Sequence, residues 1–268
     1  MAKSQVFRKP YRIKKKKSIF RSKFLWLTIL ILIIFGGIFY LLYLSPYFQI
    51  KEIKISGNEK VPTEKILSPV QKEIGQKLLF FSTKSIFLVN LSQIKKGILD
   101  NFPQIAEVEI KRRLPSSLGI DVSERQGIAN FCQEEQCFLL DGEGVIFEEV
   151  PKENLSAPLI KKLGEAGPLP KLGGEVIEKE LLSKILEITS ELKNLGIPST
   201  EVLIVSDDRL NVKTQENWEI YFNPQGDVSW QLTKLKAVLE KFIPSEKRKD
   251  LEYVELRFGN SAPYKYRQ

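Results

Sequence analysis

The sequence contains no histidine, and this absence removes a large part of enzyme chemistry. Without histidine there is no Ser-His-Asp or Cys-His nucleophile, no imidazole acid–base group and no histidine metal ligand. The two cysteines are too few to close a structural zinc site by themselves. We therefore expect no catalytic residue, no metal, no cofactor and no small-molecule substrate.

Acidic residues are absent from the first 23 positions, which carry ten lysines and arginines. The other 245 residues hold 31 basic and 33 acidic side chains, so the net charge of +8 comes from this tail. A remainder that is close to neutral argues against a nucleic-acid-binding domain. Residues 1–23 are instead predicted to form a cytoplasmic tail that orients the chain and contacts anionic lipid.

Charged residues are also absent from residues 24–44, FLWLTILILIIFGGIFYLLYL. At about 1.5 Å per residue this run is roughly 30 Å long, which matches the hydrocarbon core of a bilayer. A cleaved signal peptide is the alternative, but its apolar region is about 7–15 residues long and ends at a small-residue cleavage site. The sequence thus predicts a single transmembrane helix. Because the basic tail precedes it, the protein is expected to be a type II protein of the cytoplasmic (inner) membrane, with residues 45–268 outside the cytoplasm.

Residues 45–125 have the periodicity of a small α+β domain. A strand-like run at 48–55 ends at the turn signal Ser56-Gly57-Asn58. Two helices are predicted next, the second with Ser92 as its N-cap. Alternating runs at 105–110 and 118–122 complete the order strand, helix, helix, strand, strand. Two helices on one face of a three-stranded sheet form a common α+β layer pair.

Residues 126–268 indicate a second, β-rich domain with flanking helices. Apolar residues at helical spacing predict helices at 178–195 and 228–243. The stretch 150–176, rich in proline and glycine, is predicted to be a loop, and Asp141-Gly142-Glu143-Gly144 a β-turn. The predicted strands are 128–133, 136–140, 144–148, 201–205, 209–214, 218–222 and 253–258.

Cys132 and Cys137 flank a short polar segment. If Glu134-Glu135 is a two-residue turn, the cysteines face each other across a hairpin, at a separation that suits a disulfide. A disulfide is permitted outside the cytoplasm, and two reduced cysteines are the alternative.

Several segments together resemble one family. These are FQIKEIKISGN at 48–58, FPQIAEVEIKRRLP at 102–115, IDVSER at 120–125, LLDGEGVIF at 139–147 and, more weakly, YVELRF at 253–258. They are similar to the FtsQ/DivIB family of bacterial cell division proteins, although Glu255 stands where that family usually has aspartate. The resemblance implies a POTRA domain at 45–125 and a β-domain at 126–268. It also implies a non-catalytic scaffold at the division septum that binds FtsL and FtsB- or DivIC-type partners.

The segment 253–258 alternates apolar and polar residues, and more aromatic and basic residues follow it. If this end of the chain forms a sheet edge, its unpaired backbone groups can accept a strand from a partner. Tyr264 and Tyr266 are candidate anchors beside that edge. By resemblance, Arg257 and Phe258 occupy positions implicated in binding FtsB. The turn at 111–115 is a second, family-level candidate, for contact with upstream division proteins.

Two other functions compete with the divisome scaffold. A membrane-anchored cell-wall enzyme would need a polar cluster, and none can be assembled here without histidine. A POTRA-bearing envelope assembly or secretion scaffold usually carries repeated POTRA modules and a transmembrane barrel, which this sequence does not indicate.

Overall fold

The computed structural model describes residues 23–78, 81–155, 158–164 and 169–268. All of the predicted basic tail except Lys23 lies outside these residues. The described residues pack as two compact units. The first contains the described residues up to Ile53 with those of Ile74–Val89 and Arg112–Leu118; the second contains Lys54–Glu73, Asn90–Lys111 and the described residues of Gly119–Gln268. The division at residue 125 stays a prediction.

The uncharged run forms one long helix. Helix α1 (Lys23–Phe39) continues as a π-helical turn at Tyr40–Leu44, and its side chains are mostly exposed. Within the described residues it is the one helix long and apolar enough to cross a membrane: the span Lys23–Leu44 has 22 residues, and an 18-residue stretch of it has a mean hydropathy of 2.6. Its length and composition fit membrane anchoring.

The predicted β-α-α-β-β order is confirmed, with one addition. The elements are β1 (Glu52–Ser56), α2 (Thr63–Glu73), β2 (Gln76–Leu78), β3 (Phe81–Thr83), α3 (Leu91–Asn101), β4 (Ile105–Arg113) and β5 (Ser117–Glu124). Strands β1, β5 and β4 form a sheet in that order. The addition is the antiparallel hairpin β2–β3, which the sequence did not indicate.

Helix α3 begins two residues earlier than predicted. The side chain of Asn90 accepts hydrogen bonds from the backbone N–H groups of Ser92 and Gln93, at 3.1 and 3.3 Å. Asn90 is therefore the N-cap, and the assignment of that role to Ser92 was wrong. Asparagine and serine serve equally well at this position, so the choice depends on where the helical backbone starts.

A carboxylate fastens the loop that follows β1. Glu124, at the end of β5, accepts hydrogen bonds from the backbone N–H groups of Glu59, Lys60 and Val61 at 2.9–3.0 Å. Desolvation raises the pKa of Glu124, but the three donors outweigh it, and the net pKa is lowered below 4.5. Gly57 allows the close approach, because a Cβ there would lie 2.1 Å from the carbonyl oxygen of Val122.

The rest of the chain builds a nine-stranded mixed sheet within the described residues. The strand order is β14-β13-β12-β11-β10-β9-β6-β7-β8, and the pairs β6–β9, β9–β10 and β12–β13 are parallel. The elements are β6 (Ala129–Gln133), β7 (Gln136–Leu140), β8 (Ile146–Val150), β9 (Leu159–Lys162), α4 (Lys179–Asn194), β10 (Ser199–Ser206), β11 (Arg209–Thr214), β12 (Glu219–Phe222), α5 (Val228–Lys241), β13 (Leu251–Glu255) and β14 (Tyr264–Tyr266).

Both long helices of this part bury one apolar face. Leu182, Ile185, Ile188 and Leu192 of α4 join Leu235 and Leu239 of α5 in one buried cluster with the inner residues of the sheet. Trp218, Phe222 and Phe131 are its largest fully buried side chains. This core supports the strands that carry the candidate site.

Three expectations for this part were wrong in detail. Strand β9 lies inside the predicted loop at 150–176, because a four-residue strand is too short to show a period. Strand β13 ends at Glu255 rather than at 258, and β14 follows it as a separate strand. Helix α5 ends at Lys241, so Phe242 lies beyond it and is exposed.

Candidate functional site

Strand β14 forms one edge of the nine-stranded sheet, and β13 lies inside it. The carbonyl of Pro263 accepts a hydrogen bond from Glu255 N–H at 2.8 Å, and Arg267 N–H donates to the carbonyl of Asp250 at 2.8 Å. Backbone groups alternate in direction along a strand, so those of Tyr264 and Tyr266 point away from β13. The carboxy-terminal end of the chain thus forms a sheet edge, and the strand at that edge is β14, whereas the segment 253–258 contributes the inner strand β13.

The two tyrosines of β14 share one face of the strand. Their rings lie 5.7 Å apart in an edge-to-face arrangement. Tyr264 is exposed, whereas Tyr266 is half-buried against the core. Lys265, between them, forms an ion pair with Glu252 at 2.7 Å, which raises the pKa of Lys265.

Arg257 and Phe258 lie in the turn between β13 and β14. The Arg257 guanidinium donates through Nε and Nη2 to both carboxylate oxygens of Glu255, at 2.9 and 2.8 Å. The side chains of this pair are only 19% and 10% exposed, and the hydrogen bond with Glu255 raises the pKa of Arg257. Arg257 also lies 4.9 Å from the ring centre of Phe258, which is 58% exposed. Of the two, Phe258 presents the larger free surface and Arg257 supports it.

The buried side chain of Lys234 stabilises this turn. Nζ of Lys234, on α5, lies 2.7, 3.0, 3.3 and 3.3 Å from the carbonyl oxygens of Leu256, Gly259, Phe258 and Ser261, so its three N–H groups are shared among four acceptors. Desolvation lowers the pKa of Lys234, with Glu255 acting in the opposite direction. Because one ammonium bonds four carbonyls of a six-residue segment, the positions of Arg257 and Phe258 depend on Lys234.

An apolar groove of about 420 Å³ runs beside the turn. The groove is lined on the α5 side by Trp230 and Phe242, which are exposed, and on the β14 side by Ala262 and Tyr264. Buried Lys234 also lines it. Large aromatic side chains beside an open edge are typical of protein-binding surfaces.

The strands next to this edge carry a second aromatic cluster. The rings of Tyr221 and Tyr253 stack at 5.2 Å, and the Arg209 guanidinium lies 4.6 Å from the ring centre of Tyr221. Desolvation, followed by the nearby charge of Glu219, raises the pKa of Tyr221 to about 12. This phenol therefore stays neutral and acts as a hydrogen-bonding and stacking group.

The two cysteines are joined in a disulfide. Cys132 and Cys137 are paired directly across the β6–β7 hairpin, with their Cα atoms 4.1 Å apart. Glu134 has a positive φ of 53° in the turn between them. The bridge lies within strands remote in sheet order from β14, so it is a structural element of the hairpin.

The turn after β7 is tied to the end of the first predicted domain. Asp141 accepts hydrogen bonds from the backbone N–H groups of Glu143 and Val145, at 3.0 and 2.9 Å. Its other oxygen pairs with Arg125, whose Nε also donates to the carbonyl of Pro103 at 3.1 Å. The predicted β-turn is confirmed by the hydrogen bond from Gly144 N–H to the carbonyl of Asp141 at 3.1 Å.

Among the described residues no group of three carboxylate or thiol side chains is arranged to hold a metal ion. The chemistry that the surface around β14 can perform is recognition, through backbone pairing and aromatic contact.

Sequence reasoning missed Lys234, Trp230 and Phe242 as parts of this surface. Sequence position alone gives no signal for Lys234, because Lys234 and Lys236 both adjoin Leu235 of the buried helix face and only Lys234 is buried.

Comparisons with known proteins cover most of the chain. A family model described as POTRA domain, FtsQ-type, matches residues 48–125, and one described as Cell division protein FtsQ/DivIB, C-terminal, matches residues 131–257. The cell division protein DivIB of Clostridium acetobutylicum is 26% identical over 227 residues, which cover 83% of this chain and 85% of that protein. The cell division protein FtsQ of an Anaeromyxobacter species is 24% identical over 227 residues, covering 80% of this chain and 69% of that protein.

Among solved structures, the major extracytoplasmic domain of the trans isomer of DivIB from Geobacillus stearothermophilus aligns at 16% identity with a TM-score of 0.28. The alignment covers 45% of this chain and 95% of that domain. A score this low gives no basis for comparing the two folds in detail.

Proposed function

The chain belongs to the FtsQ/DivIB family of bacterial cell division proteins, and from this premise we propose that it is a non-catalytic scaffold of the division machinery. It recruits and links early and late division proteins at the septum through contacts outside the cytoplasm. The observation that carries this proposal is the edge strand β14 with its neighbouring turn, groove and exposed aromatic side chains.

The proposal requires membrane anchoring by α1. The helix is long enough to span a bilayer, and the basic residues that precede it favour a cytoplasmic amino terminus. The protein is then a single-pass type II protein of the cytoplasmic membrane. Anchoring confines the search for other membrane-bound partners to two dimensions.

The proposed partners are single-span division proteins of the FtsL and FtsB or DivIC type. A partner strand pairs with the outward backbone groups of Tyr264 and Tyr266, which supplies affinity. Phe258 and Tyr264 contact its side chains, which supplies selectivity. Arg257 acts mainly by holding Phe258, because its guanidinium is already paired with Glu255.

Strand pairing is tested by two substitutions at one position of β14. Tyr264→Ala removes the side chain, whereas Tyr264→Pro also removes the outward N–H, a change that an edge strand tolerates. Binding of the partner's extracytoplasmic segment to the full chain in nanodiscs is measured by interferometry. We expect a greater loss with proline than with alanine, and equal losses would contradict backbone pairing.

Side-chain recognition is tested by Phe258→Ser. An exposed aromatic anchor at the centre of an interface contributes about 2 kcal/mol or more, roughly a 30-fold change in Kd. Phe258 is exposed, so the free energy of unfolding should change little. Unchanged affinity would remove Phe258 from the interface.

The cellular role is tested by a fluorescent fusion to the amino terminus in dividing cells. A band at midcell before constriction supports the divisome scaffold. An even membrane distribution of a functional fusion would contradict it.

A further inference from the structure

The outer end of helix α1 is fastened to the loop that follows β3. The Ser85 hydroxyl donates to the carbonyl of Leu42 at 2.8 Å, and the Thr83 hydroxyl donates to the carbonyl of Tyr43 at 2.6 Å. These carbonyls belong to the last turn of the helix, where the backbone lacks helical partners. If α1 spans the bilayer, its last turn lies at the outer surface, and so does the loop.

The chain leaving the helix braces the same loop. The side-chain amide of Gln49 accepts a hydrogen bond from Lys84 N–H at 3.1 Å and donates to Thr83 at 3.3 Å. The backbone adds Ile50 N–H to the carbonyl of Lys84 at 3.0 Å and Ile86 N–H to the carbonyl of Phe48 at 2.9 Å. These hydrogen bonds hold residues 47–51, which follow the helix, and residues 84–87, which follow β3, together as one structure, called the braced structure below.

A further brace comes from the end of strand β4. The Arg112 guanidinium donates to the carbonyls of Ile86 and Val89, at 2.7 and 2.8 Å. These two hydrogen bonds of Arg112 fix the loop after Ser85.

The braced structure presents aromatic and basic side chains. Tyr47 is 63% exposed and Phe87 is 38% exposed, although Phe48 links them through ring contacts at 5.0 and 5.2 Å. Lys51 and Lys84 are exposed on the two segments that carry these rings, and the backbone hydrogen bond from Ile50 N–H to the carbonyl of Lys84 joins those segments. Aromatic rings and lysines at the end of a hydrophobic span are the composition of a membrane–water interface.

We propose that this juxtamembrane face, formed by Tyr47, Lys51, Lys84 and Phe87, lies on the outer leaflet and binds the phosphates of anionic lipid headgroups. The inference rests on the proposed span of α1. Continuity with that helix selects lipid over a protein partner, because residues bonded to the last helical turn lie within reach of the headgroups. Binding of this face to the headgroups fixes the orientation of the braced structure relative to the membrane surface.

The test uses the full chain in nanodiscs of phosphatidylcholine alone or mixed equally with phosphatidylglycerol. Nitroxide labels are placed singly through Tyr47→Cys, Leu32→Cys and Lys213→Cys, the last an exposed position on β11. Collisions with oxygen, which concentrates in lipid, and with a water-soluble nickel chelate then report depth. We expect the label at 47 to lie about 5–10 Å below the headgroup surface, as interfacial groups do, and the label at 213 to remain in water.

The headgroup charge is tested by adding Lys84→Glu to the protein labelled at 47. The label should move toward water in discs containing phosphatidylglycerol and move less in phosphatidylcholine alone. Equal responses in the two lipids would overturn the role of anionic phosphate.

The remaining outcomes separate this inference from the proposed function. A label at 47 in water, with the label at 32 in lipid, overturns the juxtamembrane face and leaves the span standing. A label at 32 in water overturns both. A label at 47 shielded from both collision reagents indicates contact with protein and also overturns lipid binding.

Discussion

Replacing Lys234 with methionine tests whether one buried ammonium organises the turn between β13 and β14. Methionine keeps the length and apolar stem of lysine, so packing of the helix against the sheet is retained. What is lost is the donor to four carbonyls between Leu256 and Ser261. The control is Lys236→Met on the same helix, because Lys236 is exposed.

The magnitude follows from the burial of the acceptors. The bond to Leu256 is buried, and a buried carbonyl left without a donor costs about 1–3 kcal/mol. The other three bonds are partly exposed, so water replaces the ammonium there at a smaller cost. The methionine also avoids the desolvation of a charge, which offsets part of the loss. We expect a net destabilisation of about 2 kcal/mol, concentrated in the turn.

Hydrogen exchange of the full chain measures this locally. A loss of about 2 kcal/mol corresponds to roughly 30-fold faster exchange of the hydrogen-bonded backbone amides of Glu255, Leu256 and Arg257. Affinity for the proposed partner should fall by less, because part of the order returns on binding. Equal exchange rates at residues 255–257 in the methionine variants of Lys234 and Lys236 would refute the role assigned to the ammonium.

Three further predictions concern the rest of the chain. Asp141→Asn should lower the free energy of unfolding by about 3 kcal/mol, because it leaves the buried Arg125 cation poorly paired; a loss below 1 kcal/mol in urea unfolding would contradict this. Glu124 has a lowered pKa in the fold, so its stabilising contribution is present above 4.5 and is lost as the pH falls through the lowered value. Glu124→Gln should flatten that acid limb of a stability-against-pH curve, and an unchanged limb would assign it to other carboxylates. Replacing Cys132 and Cys137 together with serine should cost about 2 kcal/mol for so short a loop, and a melting temperature unaffected by the change or by reductant would show that the bridge contributes nothing.

The periodic elements could be predicted from the sequence. Helix α4 was evident because Leu182, Ile185 and Leu192 repeat at the spacing of a helix that buries one face. The hairpin at Cys132 was evident because the four polar residues 133–136 separate two apolar runs, with Glu134 and Glu135 at the turn. In both cases the signal is local, since it depends on residues a few positions apart.

What could not be predicted depends on distant partners. Strand β14 has three residues and exists because β13 pairs with it, and no period distinguishes Tyr-Lys-Tyr from a tail. Lys234 is buried because carbonyls about 25 positions later surround it. Every residue has a backbone carbonyl, so the sequence does not indicate which carbonyls will lie near this lysine. Likewise, the contact of Ser85 with the end of α1 joins residues 43 positions apart.

The strand order of the nine-stranded sheet also sets the order in which its β14 edge can be made. From β9 to β14 each strand is laid beside its predecessor in the chain, so the sheet extends in one direction from β9. Until β14 pairs with β13, the open edge belongs to an earlier strand with different side chains, which is liable to pair with a wrong neighbour. If β14 captures a partner as proposed, that ability is acquired only when every preceding strand is in place. A chain that ends before β14 would then lack the edge with which the proposed partner pairs.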